Sequence, residues 1–183
     1  DKSSNYDKLF AGVDDFNTYR DSALWMNILE LTENQALGFG AEYLKDKLRS
    51  STQYDKTSRW NQAAFIQHSY SSDQFSTELG LRHDKNQQFG NENTWNAAFT
   101  LPFNQEHAVT LSYAEGFRSP TFNDLYWPDF CDSSAVCFAS SNPDLKAESS
   151  KSYELRYLGQ LSQEVSLTAS LYRTNIRDAI VFQ

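Results

Sequence analysis

Three features that would place this chain in a common class of protein are missing from its sequence. No apolar run approaches the ~18–20 residues that a transmembrane helix needs, so a helical membrane span is excluded. The 16 Lys and Arg residues are outnumbered by 24 Asp and Glu, and the net charge of −8 leaves no basic stripe to neutralise nucleic-acid phosphates. No apolar pattern has a 3.6-residue period, so no helix is predicted.

The sequence also lacks the motifs of common enzymes and metal sites. We find no nucleophile elbow, phosphate loop or metal-ligand helix. The three histidines, His68, His83 and His107, lie on separate predicted strands or turns and have no obvious Ser or Asp partner. His83 and Asp84 are neighbours, which would point to opposite faces of a strand. We therefore predict no enzymatic activity, no catalytic residue, no metal site and no cofactor.

What the sequence does contain is strict alternation of apolar and polar residues. Residues 75–84 and 109–113 are examples. A period of two sends successive side chains to opposite faces of a sheet. In the first segment one face carries Glu78, Arg82 and Asp84, so that face cannot be a dry core. Each strand therefore separates water from an apolar medium, which is either a protein core or lipid.

The alternation predicts eight strands and leaves a ninth open near 6–16. The lengths of their connections alternate between short and long along the chain. Short turns and long loops sorted to opposite ends are typical of outer-membrane barrels, with the long loops outside the cell. A low mean hydropathy of −0.65 fits such strands, and so does an aromatic content of 15%. The predicted strands are 22–32, 35–48, 60–70, 74–85, 93–103, 106–117, 150–161 and 164–177; the short turns are 32–34, 71–73, 102–105 and 162–163, and the long loops 49–59, 86–92 and 118–149.

The predicted fold is therefore all-β, with antiparallel up-and-down strands forming part of a transmembrane β-barrel. The alternative is a water-soluble β-sandwich that acts as a binding module. Each of its sheets would expose one face to solvent, and strands with alternating residues are most common in sheets of this kind. The chain begins with a polar stretch without a signal peptide and ends just after an apolar strand-like run, 179–182. We therefore expect residues 1–183 to be one partial barrel domain of a longer protein.

Two motifs around the longest loop resemble those of TonB-dependent outer-membrane receptors. One is Gly-Phe-Arg-Ser-Pro at 116–120, followed by Leu-Tyr at 125–126. The other is Asn-Pro-Asp-Leu-Lys at 142–146, where the next residue is Ala147 although the family usually has Pro. Pro120 suits the point where a strand gives way to a loop, and Asn-Pro favours an extended residue followed by a turn. Within the family, the chain is most similar to the cobalamin receptors from about residue 20 onward.

The resemblance implies a 22-stranded barrel with an N-terminal plug domain and a periplasmic coupling box. We expect this chain to contain about eight of those strands and neither the plug nor the box. The resemblance also implies capture of a bulky, scarce nutrient by the outer loops and import driven through the TonB protein, which would act on the plug. Cobalamin is the expected cargo, and a ferric siderophore or haem is the alternative. Outer-membrane lipid is the other expected partner, and the bacterial outer membrane is the expected location.

The loop 118–149 holds the candidate binding residues. Two cysteines in a loop exposed to an oxidising compartment predict a local disulfide between Cys131 and Cys137, the alternative being two free thiols. Large aromatic rings on such a loop could close over a ligand and exclude water. Alternatively they pack on neighbouring loops or at the membrane interface. These rings are Phe122, Tyr126, Trp127, Phe130 and Phe138.

The sequence leaves open the roles of Arg118, at the end of a predicted strand, and of three aspartates near the start of the chain. Arg118 could pair with Glu115, Asp124 or Glu148, or it could be a solvated charge at the rim. The acidic residues Asp7, Asp14 and Asp15 could bind calcium through hard oxygen ligands. No Asp-x-Asp-x-Asp-Gly loop is present, so we expect a solvated acidic run there.

Overall fold

The computed structural model describes residues 16–127, 130–131, 137–138 and 141–181. The acidic residues Asp7, Asp14 and Asp15 lie outside the described residues. So does the possible ninth strand near 6–16, apart from Phe16, with which the first strand begins.

The elements are strands apart from one short helix in the long loop. Their bounds are β1 Phe16–Thr32, β2 Gln35–Ser50, β3 Ser58–Ser71, β4 Ser76–Asn86, β5 Gly90–Pro102, β6 His107–Arg118, α1 Phe122–Tyr126, β7 Phe130–Cys131, β8 Cys137–Phe138, β9 Glu148–Gln160 and β10 Ser166–Arg177.

Eight strands form one antiparallel sheet in the order β1-β2-β3-β4-β5-β6-β9-β10. Each strand pairs with its neighbour along the chain, and the long loop joins β6 to β9. The sheet is open, because β1 and β10 are its edges. The all-β, up-and-down prediction is confirmed. The separate β7–β8 ladder sets Cys131 opposite Cys137; the disulfide itself stays a prediction.

As predicted, the four short turns lie at one end of the sheet and the other three connections lie at the opposite end. One of those three is shorter than predicted. Short turns join β1–β2, β3–β4, β5–β6 and β9–β10 at one end of the sheet. At the other end the predicted long loop 86–92 is wrong, since β4 reaches Asn86 and β5 starts at Gly90. The Asn86 side-chain oxygen accepts from the backbone N–H of Gln88 (2.9 Å) and Phe89 (3.2 Å) and closes the turn. Gly90, with φ 78°, adopts the left-handed backbone that glycine permits.

The ladder registers sort the side chains onto two faces, because directly paired residues point the same way. Phe99, Leu111, Leu155 and Leu171 form one cross-strand row. We call the face with this row the apolar face; it also carries Phe39, Ile66, Leu79, Trp95 and Leu167. The opposite, polar face carries Arg20, Glu42, Asp46, Arg59, Asn61, Arg82, Asp84 and Glu154.

Strand β1 departs from this alternation. Leu24, Met26 and Ile28 share the polar face, opposite Glu42, Gly40 and Gly38, although each is more than half exposed. The glycine at position 40 is required by close packing: an added Cβ would lie 2.3 Å from the carbonyl oxygen of Trp25.

Aromatic side chains on the apolar face form clusters of neighbouring rings. Near the short turns the rings of Tyr70 and Phe75 have centroids 5.1 Å apart. In the half nearer the long loops, Trp95 and Tyr113 are 4.3 Å apart, and Tyr113 and Tyr153 are 5.0 Å apart. Aromatic rings are a common component of the outer face of a membrane barrel wall.

Nothing in the described residues covers the apolar face. Three of its large side chains, Leu81, Leu111 and Leu155, are 47–62% exposed. The described strands form one large sheet and the two-residue β7–β8 ladder, so the second layer that a β-sandwich requires is not found in this part of the chain. Among the described residues, no helix is long and apolar enough to cross a membrane.

An arginine placed at the centre of the apolar face tests the expectation that this face contacts lipid. Leu111→Arg is expected to lower the free energy of unfolding of the full-length protein in lipid vesicles by about 2–4 kcal/mol, because the guanidinium would lie in hydrocarbon. Denaturant titration in vesicles measures this. Ser112→Arg is the matched control, since it points to the polar face beside Glu154 and should cost far less. Equal losses for the two variants would contradict the assignment of faces.

Candidate functional site

The first part of the long loop folds over the polar face through a short helix. The Thr121 hydroxyl accepts from the Asp124 N–H (3.2 Å), and the Asp124 carboxylate accepts from the Thr121 N–H (2.7 Å). This capping box starts α1 at Phe122. The prediction that the chain contains no helix is therefore wrong here. A helix of five residues is too short to produce the apolar periodicity on which that prediction rested.

A small apolar core fixes this segment to the sheet and to the neighbouring loop. Leu125 is its centre, with 1% of its surface exposed. Leu48 on the polar face of β2, Tyr54 in the β2–β3 loop, and Phe122 and Tyr126 of α1 complete the buried set. Phe16, Phe89 and Leu145 pack against it from outside. Fully burying a side chain such as Leu125 stabilises this arrangement by about 1.5–3 kcal/mol.

Hydrogen bonds reinforce the same contact. Tyr54 donates its hydroxyl proton to the side-chain oxygen of Asn123 at 2.9 Å. Gln88 donates from its amide nitrogen to the hydroxyl oxygen of Tyr126 at 2.5 Å. The loop segment is thus bound to both of the other loops at this end of the sheet.

The two sequence motifs contribute to this anchoring. Pro120 is fully buried, and its carbonyl accepts a hydrogen bond from the Arg59 guanidinium on the polar face. That guanidinium also lies over the Phe122 ring, 5.0 Å from its centroid. In the second motif, Asn142 donates its N–H to the carbonyl of Asp124 at 2.8 Å. Both motifs therefore shape the loop where it meets the wall.

Beneath the loop, arginines and carboxylates on the polar face are paired with one another. Arg82 binds Asp84 through Nε (2.8 Å) and Nη2 (2.9 Å), and its Nη2 also contacts Glu42 at 2.6 Å. Asp84 is 1% exposed and accepts a further bond from the Asn61 amide at 2.8 Å. Asn61 in turn accepts from Asn86 at 3.3 Å.

A second ionic group lies closer to the loop. Arg20 binds Asp46 with two parallel bonds of 2.7 and 3.1 Å, the geometry in which a guanidinium and a carboxylate interact most strongly. Arg59 contacts the same carboxylate at 3.6 Å. Because Arg59 also holds Pro120, this group connects the wall to the loop.

These groups line a cavity of about 490 Å³ between the polar face and the loop. Both ionic groups contribute to its wall, together with Gly116, Arg118 and Ser119 from the end of β6 and the start of the loop. Most of the charges are already neutralised by a partner, so the cavity offers hydrogen-bonding groups more than net charge. Such a surface suits a polar ligand that carries few charges of its own.

The five predicted loop aromatics have different positions. Phe122 and Tyr126 are 6% and 9% exposed and lie in the loop core, so little of either ring is available to a ligand. Trp127 is 38% exposed and packs edge-on against Tyr54, with 6.1 Å between ring centroids. The side chains of Phe130 and Phe138 lie outside the described residues. Ligand binding by these rings stays a prediction.

Arg118 pairs with Glu148, one of the three carboxylates that the sequence offered as possible partners. Its guanidinium lies 3.4 Å from Glu148 across the β6–β9 ladder, and its side chain is 58% exposed. A pair so long and exposed contributes little to stability. Glu148 also accepts from the backbone N–H of Ile180 at 3.2 Å.

Sequence reasoning did not identify the paired polar cluster as part of the site. Arg82 and Asp84 are two residues apart, and their common face was predicted, but their partners Glu42 and Asn61 come from other strands. The register of three strands is needed to bring these groups together, and no motif in the sequence fixes that register. The capping box of Thr121 and Asp124 is visible in the sequence as a Thr followed three residues later by an Asp, and this signal would have predicted the start of the helix.

Removing Asp84 tests the strength of the buried cluster. Asp84→Ala leaves Arg82 and Asn61 without their shared acceptor, and we expect a loss of roughly 1–3 kcal/mol in the free energy of unfolding. Asp21→Ala is the matched control, because Asp21 pairs with Lys47 where both side chains are exposed, and its loss should be much smaller. Denaturant unfolding of both variants of the full-length protein makes the comparison. A larger loss for Asp21→Ala would contradict the account of the cluster.

Comparison with known proteins identifies the family. The family model described as "TonB dependent receptor-like, beta-barrel" matches residues 1–183. The sequence is 35% identical over 160 residues to the vitamin B12 transporter BtuB of Photobacterium profundum, covering 87% of this chain and 25% of that protein. It is 33% identical over 165 residues to BtuB of Vibrio vulnificus, covering 88% of this chain and 25% of that protein. The chain therefore spans about a quarter of the length of these curated relatives.

Solved structures share the fold at lower identity. The siderophore receptor PirA of Pseudomonas aeruginosa superimposes with a TM-score of 0.70 at 20% identity, covering 89% of this chain and 32% of that one. The ferric enterobactin receptor PfeA of the same organism gives a TM-score of 0.69 at 14% identity, covering 90% of this chain and 27% of that one. The chain belongs to the family of TonB-dependent receptors, as part of their β-barrel in the bacterial outer membrane.

Proposed function

We propose that this chain forms one sector of the wall of a TonB-dependent transporter that takes up cobalamin. The apolar face contacts lipid, the polar face lines the passage, and the long loop gathers the cargo outside. The sector performs no chemistry. Import is driven by the TonB protein acting on a plug domain, which residues 1–183 are not expected to include.

The single observation that carries this proposal is the anchored loop over a polar, largely neutral cavity. A wall that only enclosed water would not need its longest loop to be held over the passage by a buried core and an arginine. The cavity lies where a captured molecule would enter the barrel. We propose Trp127, Phe130 and Phe138 as direct ligand contacts, with Phe122 and Tyr126 holding the loop in place.

Cobalamin is favoured over an iron chelate by two considerations. The relatives that are 33–35% identical are named vitamin B12 transporters, whereas the siderophore receptors are no more than 20% identical and support the fold alone. Arg20 and Arg82 are each bound to carboxylates, so they do not offer free positive charge to an anionic iron chelate. A ligand with uncharged hydrogen-bonding groups is a better match to this cavity.

Cargo identity is tested by a binding titration of the full-length receptor. We expect cyanocobalamin to bind at least a hundredfold more tightly than ferric enterobactin or haem under the same conditions. This ratio corresponds to a difference in binding free energy of about 3 kcal/mol. Isothermal calorimetry with each ligand in the same detergent measures the three affinities. Tighter binding of either iron compound would replace cobalamin by that cargo and leave the family assignment intact.

Weakening the loop core tests whether the anchored loop matters for capture. Leu125→Ala removes the most buried side chain of the core, and such substitutions cost about 2–5 kcal/mol of local stability. We expect cobalamin affinity to fall at least tenfold while the barrel remains folded. Leu155→Ala on the apolar face is the matched control and should leave affinity unchanged. If Leu125→Ala binds cobalamin as the parent protein does, the loop is not held in place for capture.

A further inference from the structure

A carboxylate that closely follows the second sequence motif lies where the ends of three strands meet. This residue, Glu148, comes two positions after the motif 142–146 and is the first residue of β9. It has the same parity as Glu154, so its side chain lies on the polar face. The register pairs it with Arg118, which ends β6 and lines the cavity. Glu148 therefore lies beside the cavity, at the end of the sheet that carries the long loops.

The carboxylate of Glu148 binds the backbone that follows β10. Its Oε2 atom accepts a hydrogen bond from the backbone N–H of Ile180 at 3.2 Å. Strand β10 ends at Arg177, which pairs with Ser149, and Asp178 then leaves the extended conformation with a φ of 53°. Because the Glu148 side chain lies on the polar face, the backbone of Ile180 lies on that side of the sheet as well.

Of the two contacts that Glu148 makes, the hydrogen bond to the backbone is better suited to position a segment. The ion pair with Arg118 spans 3.4 Å and the Arg118 side chain is 58% exposed, so water and salt screen it. The Glu148 side chain is 18% exposed, and a backbone N–H bound to a carboxylate forms a charge-assisted bond, about twice as strong as a neutral one. Beyond the last ladder pair, this carboxylate takes the place of a strand acceptor for Ile180.

Two segments at this end of the sheet are thus anchored over the polar face. One contains α1 and is fixed to β2 and β3 through Leu48 and Arg59. The other is 178–181, which is fixed to β9 through Glu148. Strands β4, β5 and β6 separate the two anchors in the sheet, and residues of both β3 and β6 line the cavity. The cavity therefore lies between the two anchors.

We propose that Glu148 is a positioning residue that directs the connection after β10 inward over the polar face. Its carboxylate is a fixed acceptor, so the segment 178–181 begins on the side of the sheet where the cargo is gathered. Together with the segment that contains α1, it bounds the entrance to the cavity. The positioning of the segment does not depend on which cargo is bound, whereas its part in capture rests on the proposed function.

Hydrogen exchange in the full-length receptor tests the positioning, read by mass spectrometry on the peptide that contains Ile180. Glu148→Ala removes the acceptor and is expected to accelerate exchange of this peptide about tenfold, because a part-buried N–H loses its partner. Glu148→Gln keeps an acceptor oxygen without the charge and should retain most of the protection. Arg118→Gln is the matched control, since it removes the ion pair alone and should exchange as the parent does.

Cyanocobalamin binding to the same receptor tests the part of this segment in capture. We expect the affinity of Glu148→Ala to fall about fivefold, because a segment that is free in the receptor must be ordered on binding. Glu148→Gln should restore the affinity along with the protection of Ile180. Calorimetry in the same detergent measures both variants beside the parent.

Several outcomes would overturn the proposal. Exchange in Glu148→Ala that equals the parent's would do so, and so would equal acceleration in Glu148→Gln or Arg118→Gln. Acceleration that extends through β9 and β10 would make Glu148 a residue that stabilises the wall. Faster exchange at Ile180 with unchanged cyanocobalamin affinity would overturn the role in capture. The proposed cargo fails by a different result, tighter binding of an iron compound by the parent receptor, so the two failures are distinguishable.

Discussion

The structure depends on one constraint: a single-layered sheet whose backbone hydrogen bonds are satisfied between strands must present two different surfaces to two different media. In lipid, an unpaired backbone group costs several kcal/mol, so a ladder that runs without interruption over the membrane thickness is the only way a strand can cross. The period of two then assigns each side chain to one medium. Leu111 and Leu155 lie on the apolar face, and Ser112 and Glu154, their immediate neighbours, lie on the polar face.

Contacts with residues of the polar face fix the position of the long loop. Leu48 and Arg59 belong to wall strands, and both contact the loop: one through the apolar core around Leu125, the other through the carbonyl of Pro120. The strand register positions Leu48 and Arg59, and these two residues in turn fix the position of the loop. The same register brings Arg82, Glu42 and Asp84 together below it, so the wall strands, the cavity and the anchored loop segment form one structure.

Much of this could be predicted from the sequence, because alternation is a local property. The eight strands, their antiparallel order and the assignment of Glu78, Arg82 and Asp84 to one face follow from neighbouring residues alone. The length of the β4–β5 connection did not follow, since it depends on the side chain of Asn86 closing the turn. The role of Phe122 and Tyr126 was not readable either. An aromatic ring in a loop suits a ligand or a core equally well, and only the packing of distant Leu48 and Tyr54 distinguishes the two.

Spin labelling of neighbouring positions measures directly whether each face of the sheet contacts lipid or water. Nitroxide labels would be placed one at a time on neighbouring positions of β5 and β6, at Ala97 and Leu111 on the apolar face and at Ala98 and Ser112 on the polar face. The full-length receptor would carry Cys131→Ser and Cys137→Ser and would be reconstituted in vesicles. We expect collisions with oxygen at the first two positions and with a water-soluble nickel chelate at the other two. Nickel accessibility at Ala97 and Leu111 would contradict this expectation.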